Sequence, residues 1–395
     1  MTLKENKLGS QRVQSLDVLK GIILLLMALD HTRDYFHESA FIFLPLDPDQ
    51  TNWPTYLTRW VTHFCAPTFS LLAGISAFFV SRRKSNRELS LFLFKRGLWL
   101  IIIEQTLLQF AWNFNPKMNW VDLGVISSLG ISMISLGILV HARQGFILAF
   151  SLALILGHNL LDFLDSSEGI WWAILHKQSI HQINDYYNFS IGYPLIPWIG
   201  VMSLGYWMGS YFYHSNYEPN RRKKTLRLLG LASIGLFLLL RVLNIYGNPT
   251  GWISYDELSK TMMSFFDVNK YPPSLDYLLI TLGPALLFMA YSEKAKGRLI
   301  EFIKLIGRVP FFYYILHLYL IHLLALLAAE ITWDGWQTMI IEAWVTDSPE
   351  LKGFGFSLGT TYLIWGLIIA LLYPLCKAFD RYKQSHKEKQ WLSYF

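Results

Sequence analysis

LDVLKGIILLLMALDHTRDYFH, residues 16–37, starts as an apolar run of membrane-spanning length and ends on Asp30, His31, Arg33, Asp34 and His37. Ionisable groups at that depth are costly unless they pair, conduct or react, so a helix ending in such a cluster is more than an anchor. At about 100° per residue, Asp30, Arg33, Asp34 and His37 share one face, and His31 stands about a quarter turn away. An ordinary charged cap at the water interface has the same pattern, and the segment alone leaves both readings open.

Composition assigns the whole chain to the same class. Of its 395 residues, 53% are hydrophobic and 16% charged, and the mean hydropathy is +0.32. This is the profile of a polytopic helical membrane protein, not a soluble globule. Cys65 and Cys376 suggest no disulfide framework and read as small buried apolar residues. No small-residue cleavage site follows the first run, so an uncleaved first span is expected. Windows able to cross a hydrocarbon core of about 30 Å fall near 16–36, 57–80, 89–112, 121–141, 145–164, 192–214, 225–246, 275–292, 309–330 and 357–379. The expectation is an all-α transmembrane bundle of about ten spans.

Basic residues concentrate in alternate loops. Lys4, Lys7 and Arg12 precede the first span, and Arg82, Arg83, Lys84 and Arg87, then Arg221 to Lys224, then Lys294 to Arg308 follow on the same side. The opposite loops hold only Lys117, Lys177, Lys260, Lys270 and Lys352. The positive-inside rule then places both termini in the cytoplasm and the DHTRDYFH cluster at the outer surface. The net charge of +6 is largely this asymmetry, and no nucleic-acid partner is expected. The longer outer loops, 168–189 and 246–273, are rich in Trp and Tyr, which suits an interfacial belt or faces for stacking sugar rings.

Further along the chain, Arg59 and His63 lie four apart on one helical face near the outer rim, where they can meet the Asp30/Asp34/His37 face. A structural ion pair between Arg59 and Asp30 or Asp34 is the simplest outcome. In the ninth span His317 follows Tyr313 and Tyr314 by four and three residues, and His322 points about 140° away. Glu104 and Arg241 are further intramembrane charges, functional by default or structural partners. The stretch 293–308, EKAKGRLIEFIKLIGR, reads as an amphipathic helix on the cytoplasmic face, with anionic lipid or a phosphorylated cofactor such as coenzyme A as its partner. No metal-ligand spacing and no phosphate-binding glycine loop is present.

RVQSLDVLKGIILLLMALDHTRDYFH (12–37), LTRWVTHFCAPTFSLLAGISAFF (57–79), YPLIPWIGVMSLGYWMG (193–209), KYPPSLDYLLITLGPALLF (270–288) and GRVPFFYYILHLYLIHLL (307–324) resemble bacterial membrane proteins that share the catalytic domain of heparan-α-glucosaminide N-acetyltransferase. The likeness runs in order over nearly the whole chain, read as one integral membrane domain over 1–395, with 10–240 most like the catalytic domain. It implies a transmembrane acyltransferase that takes acetyl from cytoplasmic acetyl-CoA and delivers it to a sugar on the opposite side. The resemblance implies that an Asn and a His that serve the active site in that family correspond by position to His31 and His37.

Acetyl transfer needs a base, and a histidine beside a carboxylate suits that role near neutral pH. His37 or His31 is the expected base, with Asp30 or Asp34 as its orienting partner. Arg33, Arg59 and His63 are expected at the substrate as oxyanion donors, with His317 as a further candidate. Arg82, Arg83, Lys84, Arg96, Arg298 and Arg308 are expected to hold the phosphates of acetyl-CoA at the inner surface, with no metal. Membrane lipid and a glycan or lipid-linked sugar are the expected partners, self-association is left open, and the bacterial inner membrane is the expected location. A transporter or flippase of a polar lipid-linked molecule is the alternative, since it too would use intramembrane His, Arg and Glu in a hydrated path.

Overall fold

The computed structural model describes residues 13–164, 169–214 and 217–395. Lys4, Lys7 and Arg12 of the amino-terminal basic cluster, and Glu168 of the aromatic loop, fall outside them. Helix α1 spans Gln14–Phe36. α2, Trp53–Trp60, continues through a tight turn, Val61–Phe64, into α3, Cys65–Ser81. α4, Asn86–Ile103, passes through a π turn at Glu104–Leu108 into the short α5, Gln109–Asn113. There follow α6 (Val125–Leu139), α7 (Gln144–Gly157), α8 (Ile170–Leu175), α9 (Leu195–Phe212) and α10 (Pro219–Leu243). The chain then forms α11 (Leu258–Phe266), α12 (Leu275–Ser292), α13 (Arg298–Arg308), α14 (Pro310–Thr332) and α15 (Leu358–Ser385).

A helix occupies each of the ten expected windows, and the protein is an all-α membrane bundle. By length and composition alone, six segments among the described residues qualify as spans: Trp53–Ser81, Gln144–Phe163, Pro219–Leu243, Leu275–Ser292, Pro310–Thr332 and Leu358–Ser385. The others differ for physical reasons. α1 has 23 residues, about 35 Å of helix, but carries Asp17, Lys20, Asp30, Arg33 and Asp34. It can do so because it is central, packed against α3, α12, α13, α14 and α15. α4 carries Arg87, Glu88, Lys95 and Arg96, and α6 is only 15 residues long.

The lipid-facing helices are equally distinct. In α15 and α10 only 17% and 22% of the most apolar window is buried, against 72% in α12. Leu363, Leu367, Leu371 and Leu375 of α15 are exposed, as expected of a helix whose solvent on one side is hydrocarbon. A small three-stranded sheet, which hydropathy does not signal, is also present. β3 (Asn188–Ile191) lies between β1 (Trp120–Leu123), to which it is parallel, and β2 (Ser179–Gln182), to which it is antiparallel.

Several helix crossings depend on glycine, two of them at the helices that frame the site. α3 and α9 meet where Gly74 faces the Met202 carbonyl and Gly205 faces that of Leu71; a Cβ on either would overlap the opposing oxygen. α13 is amphipathic as expected, with Ile303, Leu305 and Ile306 buried. It is seated against α1, with Gly307 on the Asp17 carbonyl and Gly21 on that of Ile303. Small residues at such contacts let backbones approach within the membrane. Gly205→Ala should therefore lower stability by about 1–3 kcal/mol through overpacking, whereas Gly235→Ala, with no neighbour within 4 Å, should not. Thermal melts of the two variants in detergent compare them, and equal melting would rule out the close-packed crossing.

Candidate active site

The charged end of α1 forms one buried network. Asp30 accepts from Arg33 at 3.0 Å and from Arg59 of α2 at 3.1 and 3.3 Å, and Asp34 accepts from Arg33 at 2.6 Å. Arg59 also donates to Thr62 at 2.8 Å. The expected ion pair between the first two spans is thus present, and both carboxylates are committed to arginines. Neither orients a histidine.

The orienting partner of His31 is another histidine. Its Nδ1 lies 2.8 Å from Nε2 of His317, and the two ring planes are 13° apart. The chain of bonds fixes the tautomers. His317 Nδ1 faces the Tyr313 carbonyl at 3.1 Å, which only accepts, so Nδ1 carries the proton and Nε2 accepts. His31 then donates from Nδ1, and its Nε2 keeps a lone pair. Trp112 packs edge-on to His31 with ring centroids 4.7 Å apart, and Tyr314 lies against both histidines, at 6.4 and 5.3 Å.

Tyr314 also lines a cavity of about 190 Å³. Its walls run from Lys20 to Met27 on α1, from Val80 back to Phe69 on α3 and from Phe92 to Leu100 on α4, closing against Val125 and Ile126 of α6. Seven residues of α1 make this passage about 10 Å long. It is mostly apolar, with Lys20 and Arg96 at the end remote from Asp30. There it shares Val80 and Phe92 with a second cavity of about 1030 Å³, whose walls carry Arg83, Lys84, Lys95, Lys383, Lys387 and Lys389. Of the residues expected at coenzyme A, Arg83 and Lys84 line the wide cavity and Arg96 the narrow one. Arg82 and Arg298 are exposed outside both, and Arg308 makes a bidentate pair with Asp380 at 3.1 and 2.5 Å.

The other candidates have structural roles. His63 faces the Trp60 carbonyl with Nδ1 at 2.9 Å, and its buried Nε2 has no partner; that tautomer offers a lone pair, not the N–H an oxyanion requires. Glu104 accepts from the N–H groups of Ile126 and Ser127 at 2.9 and 2.6 Å, so it caps the start of α6. Arg241 donates to the carbonyls of Phe265, Thr250, Ser264 and Asp267 at 2.7–3.1 Å and ties the loop between α10 and α12 to the bundle. His322 lies between the carbonyls of Ala111 and Met339, at 2.9 and 2.8 Å. Among the described residues, no group of three or more His, Cys, Asp or Glu side chains is placed to hold a metal.

His37 is a joint in the fold. It ends α1 and pairs with Phe356 in a short parallel bridge. Its Nδ1 lies 3.2 Å from the Phe356 carbonyl and its Nε2 3.4 Å from the Thr55 hydroxyl. Burial lowers its pKa below the ordinary imidazole value, outweighing the Phe356 carbonyl, which favours the proton. A folded-state value below the unfolded one, about 6.5, means that this stability is complete above about pH 6.5 and is lost as the pH falls through the folded value. Melting temperature should drop on acidification across that range, and His37→Gln should reduce the drop. An unchanged slope in the variant would remove His37 from this role.

Comparison with protein families adds an independent finding. The model for heparan-alpha-glucosaminide N-acetyltransferase, catalytic, matches residues 12–246. The match takes in α1, Arg59, Trp112 and the α3, α4 and α6 walls of the passage, and ends before His317. Comparison with curated proteins finds no match. With more than half of the chain matched and an all-α membrane bundle to carry it, the chain belongs to the heparan-alpha-glucosaminide N-acetyltransferase catalytic-domain family, a family of membrane acetyltransferases.

Proposed function

We propose that this protein transfers an acetyl group from acetyl-CoA, held at the basic end of the bundle, to a glycan or lipid-linked sugar at the other end. By the positive-inside rule the basic end faces the cytoplasm of a bacterial inner membrane. The observation that carries the reading is the position of the His31–His317 pair. It stands against Tyr314, in the wall of an apolar passage that widens into a large basic cavity. The wide cavity suits the phosphates of coenzyme A, and the narrow one suits its uncharged pantetheine arm. A transporter has no need of a passage walled by a tyrosine that packs on a hydrogen-bonded imidazole pair.

In this reading His31 Nε2 takes the proton of the acceptor hydroxyl or amine as that atom attacks the acetyl carbonyl. The new C–O or C–N bond forms, the C–S bond breaks, and coenzyme A leaves as a thiolate that is reprotonated by the imidazolium. His317 accepts from His31 Nδ1 throughout, so the positive charge on His31 is stabilised by a charge-assisted hydrogen bond. The Tyr314 phenol is the donor best placed for the tetrahedral oxyanion, in the role the sequence had suggested for Arg33, Arg59 or His63.

Acetyl transfer in proteoliposomes with acetyl-CoA supplied at the basic end tests these roles. His31→Ala should lower turnover by about 10²-fold or more, the scale of losing a general base. Tyr314→Phe should lower kcat by about 10²-fold with little effect on KM, as for a lost oxyanion donor. Lys84→Gln combined with Lys387→Gln should instead raise KM for acetyl-CoA more than it lowers kcat. Near-wild-type transfer by His31→Ala would overturn the assignment.

A further inference from the structure

Beside the Asp30 network stands a buried lysine with no carboxylate at ion-pair distance among the described residues. Arg33 and Arg59 are matched by Asp30 and Asp34. Lys270, from the loop before α12, is within electrostatic reach of Asp30, Asp34 and His31 and is only 8% exposed. Among the described residues no carboxylate lies within ion-pair distance of it. Its ammonium sits over the Tyr271 ring, 5.1 Å from the centroid, and the Tyr271 hydroxyl lies 3.5 Å from that of Tyr193. Burial pushes the Tyr271 phenol up, yet Lys270, Arg59 and the hydrogen bond with Tyr193 together hold its pKa below the ordinary value.

A buried ammonium with no carboxylate at ion-pair distance is an expensive arrangement, because an uncompensated charge in a low-dielectric site loses its hydration without gaining a partner. A bound anion supplies that partner. We propose that Lys270 and Arg59, with the Tyr271 hydroxyl, form an anion subsite that holds a phosphate or carboxylate group of the acceptor beside His31. Such an anchor fixes a neighbouring hydroxyl or amine against the base, a use of binding energy that favours reaction. The acceptor is then an acidic saccharide, either a sugar phosphate or a uronate. The position of the acceptor rests on the acetyl-transfer reading; the anion subsite itself does not.

Binding is therefore measured without turnover, by calorimetry on the purified full chain with glucose, glucose 1-phosphate and glucuronate. At least one acidic sugar should bind 10-fold or more tighter than glucose, with an affinity that falls as salt rises. The preferred one identifies phosphate or carboxylate as the group. Lys270→Met should abolish that preference and Lys270→Arg should retain it, while anion binding in the distant basic cavity is common to all three proteins and cancels in the comparison. Equal affinity for the three sugars, absence of binding, or a preference that survives in Lys270→Met would overturn the subsite. Should Lys270→Met fail to fold, the wild-type ranking together with Tyr271→Phe, expected to weaken the acidic sugar alone, decides. Loss of acetyl transfer with the preference intact would count against the enzyme reading only.

Discussion

Asp30 is gripped by two guanidinium groups, one from its own helix a turn further on and one from the next helix in the chain. Removing one side of such a buried pair strands the other and costs about 3–5 kcal/mol, so the contact fixes how α2 and its turn lie on α1. That in turn sets the rotation of α1. With Asp30 facing Arg59, the next residue, His31, faces α14 and meets His317. The reactive-looking histidine is positioned by an ion pair to which it does not belong.

Two other buried charges, Glu104 and Arg241, are satisfied by backbone groups of irregular segments. Glu104 takes the first N–H groups of α6, and Arg241 takes four carbonyls of the loop and short helix before α12. Non-helical backbone is tolerated at membrane depth only where protein supplies its hydrogen bonds. Each of these two charges and its irregular segment therefore needs the other.

How much of this is legible in the sequence follows from the range of each interaction. The helices are written in local hydropathy, and the Asp30–Arg59 pair in local spacing, since both residues lie near the same rim of adjacent spans. His317 stands out as an ionisable residue within an apolar run. Its bond to His31 does not, because 286 residues separate them and no periodicity links the two helices. The role of His37 depends on Phe356, 319 residues away, so a helical wheel extended through His37 groups it with a face it has already left. Trp112 and Lys270 carry no local signal at all. One is a tryptophan among fifteen; the other sits in a loop where lysines are ordinarily solvated, and only the folded chain shows it buried.

The ring cluster of Trp112, Tyr35, Tyr314, His31 and His317 separates the apolar passage from the Asp30 network. A protein with cavities reaching in from a basic end and ionic groups near the other is at risk of becoming a leak. Here the partition is made of packed rings, with Trp112 and Tyr314 edge-on to His31 and Tyr314 edge-on to His317. In the proposed transfer the acetyl group is uncharged and small, so its handover would require no through-going pore, and a membrane that maintains an electrical potential would keep it.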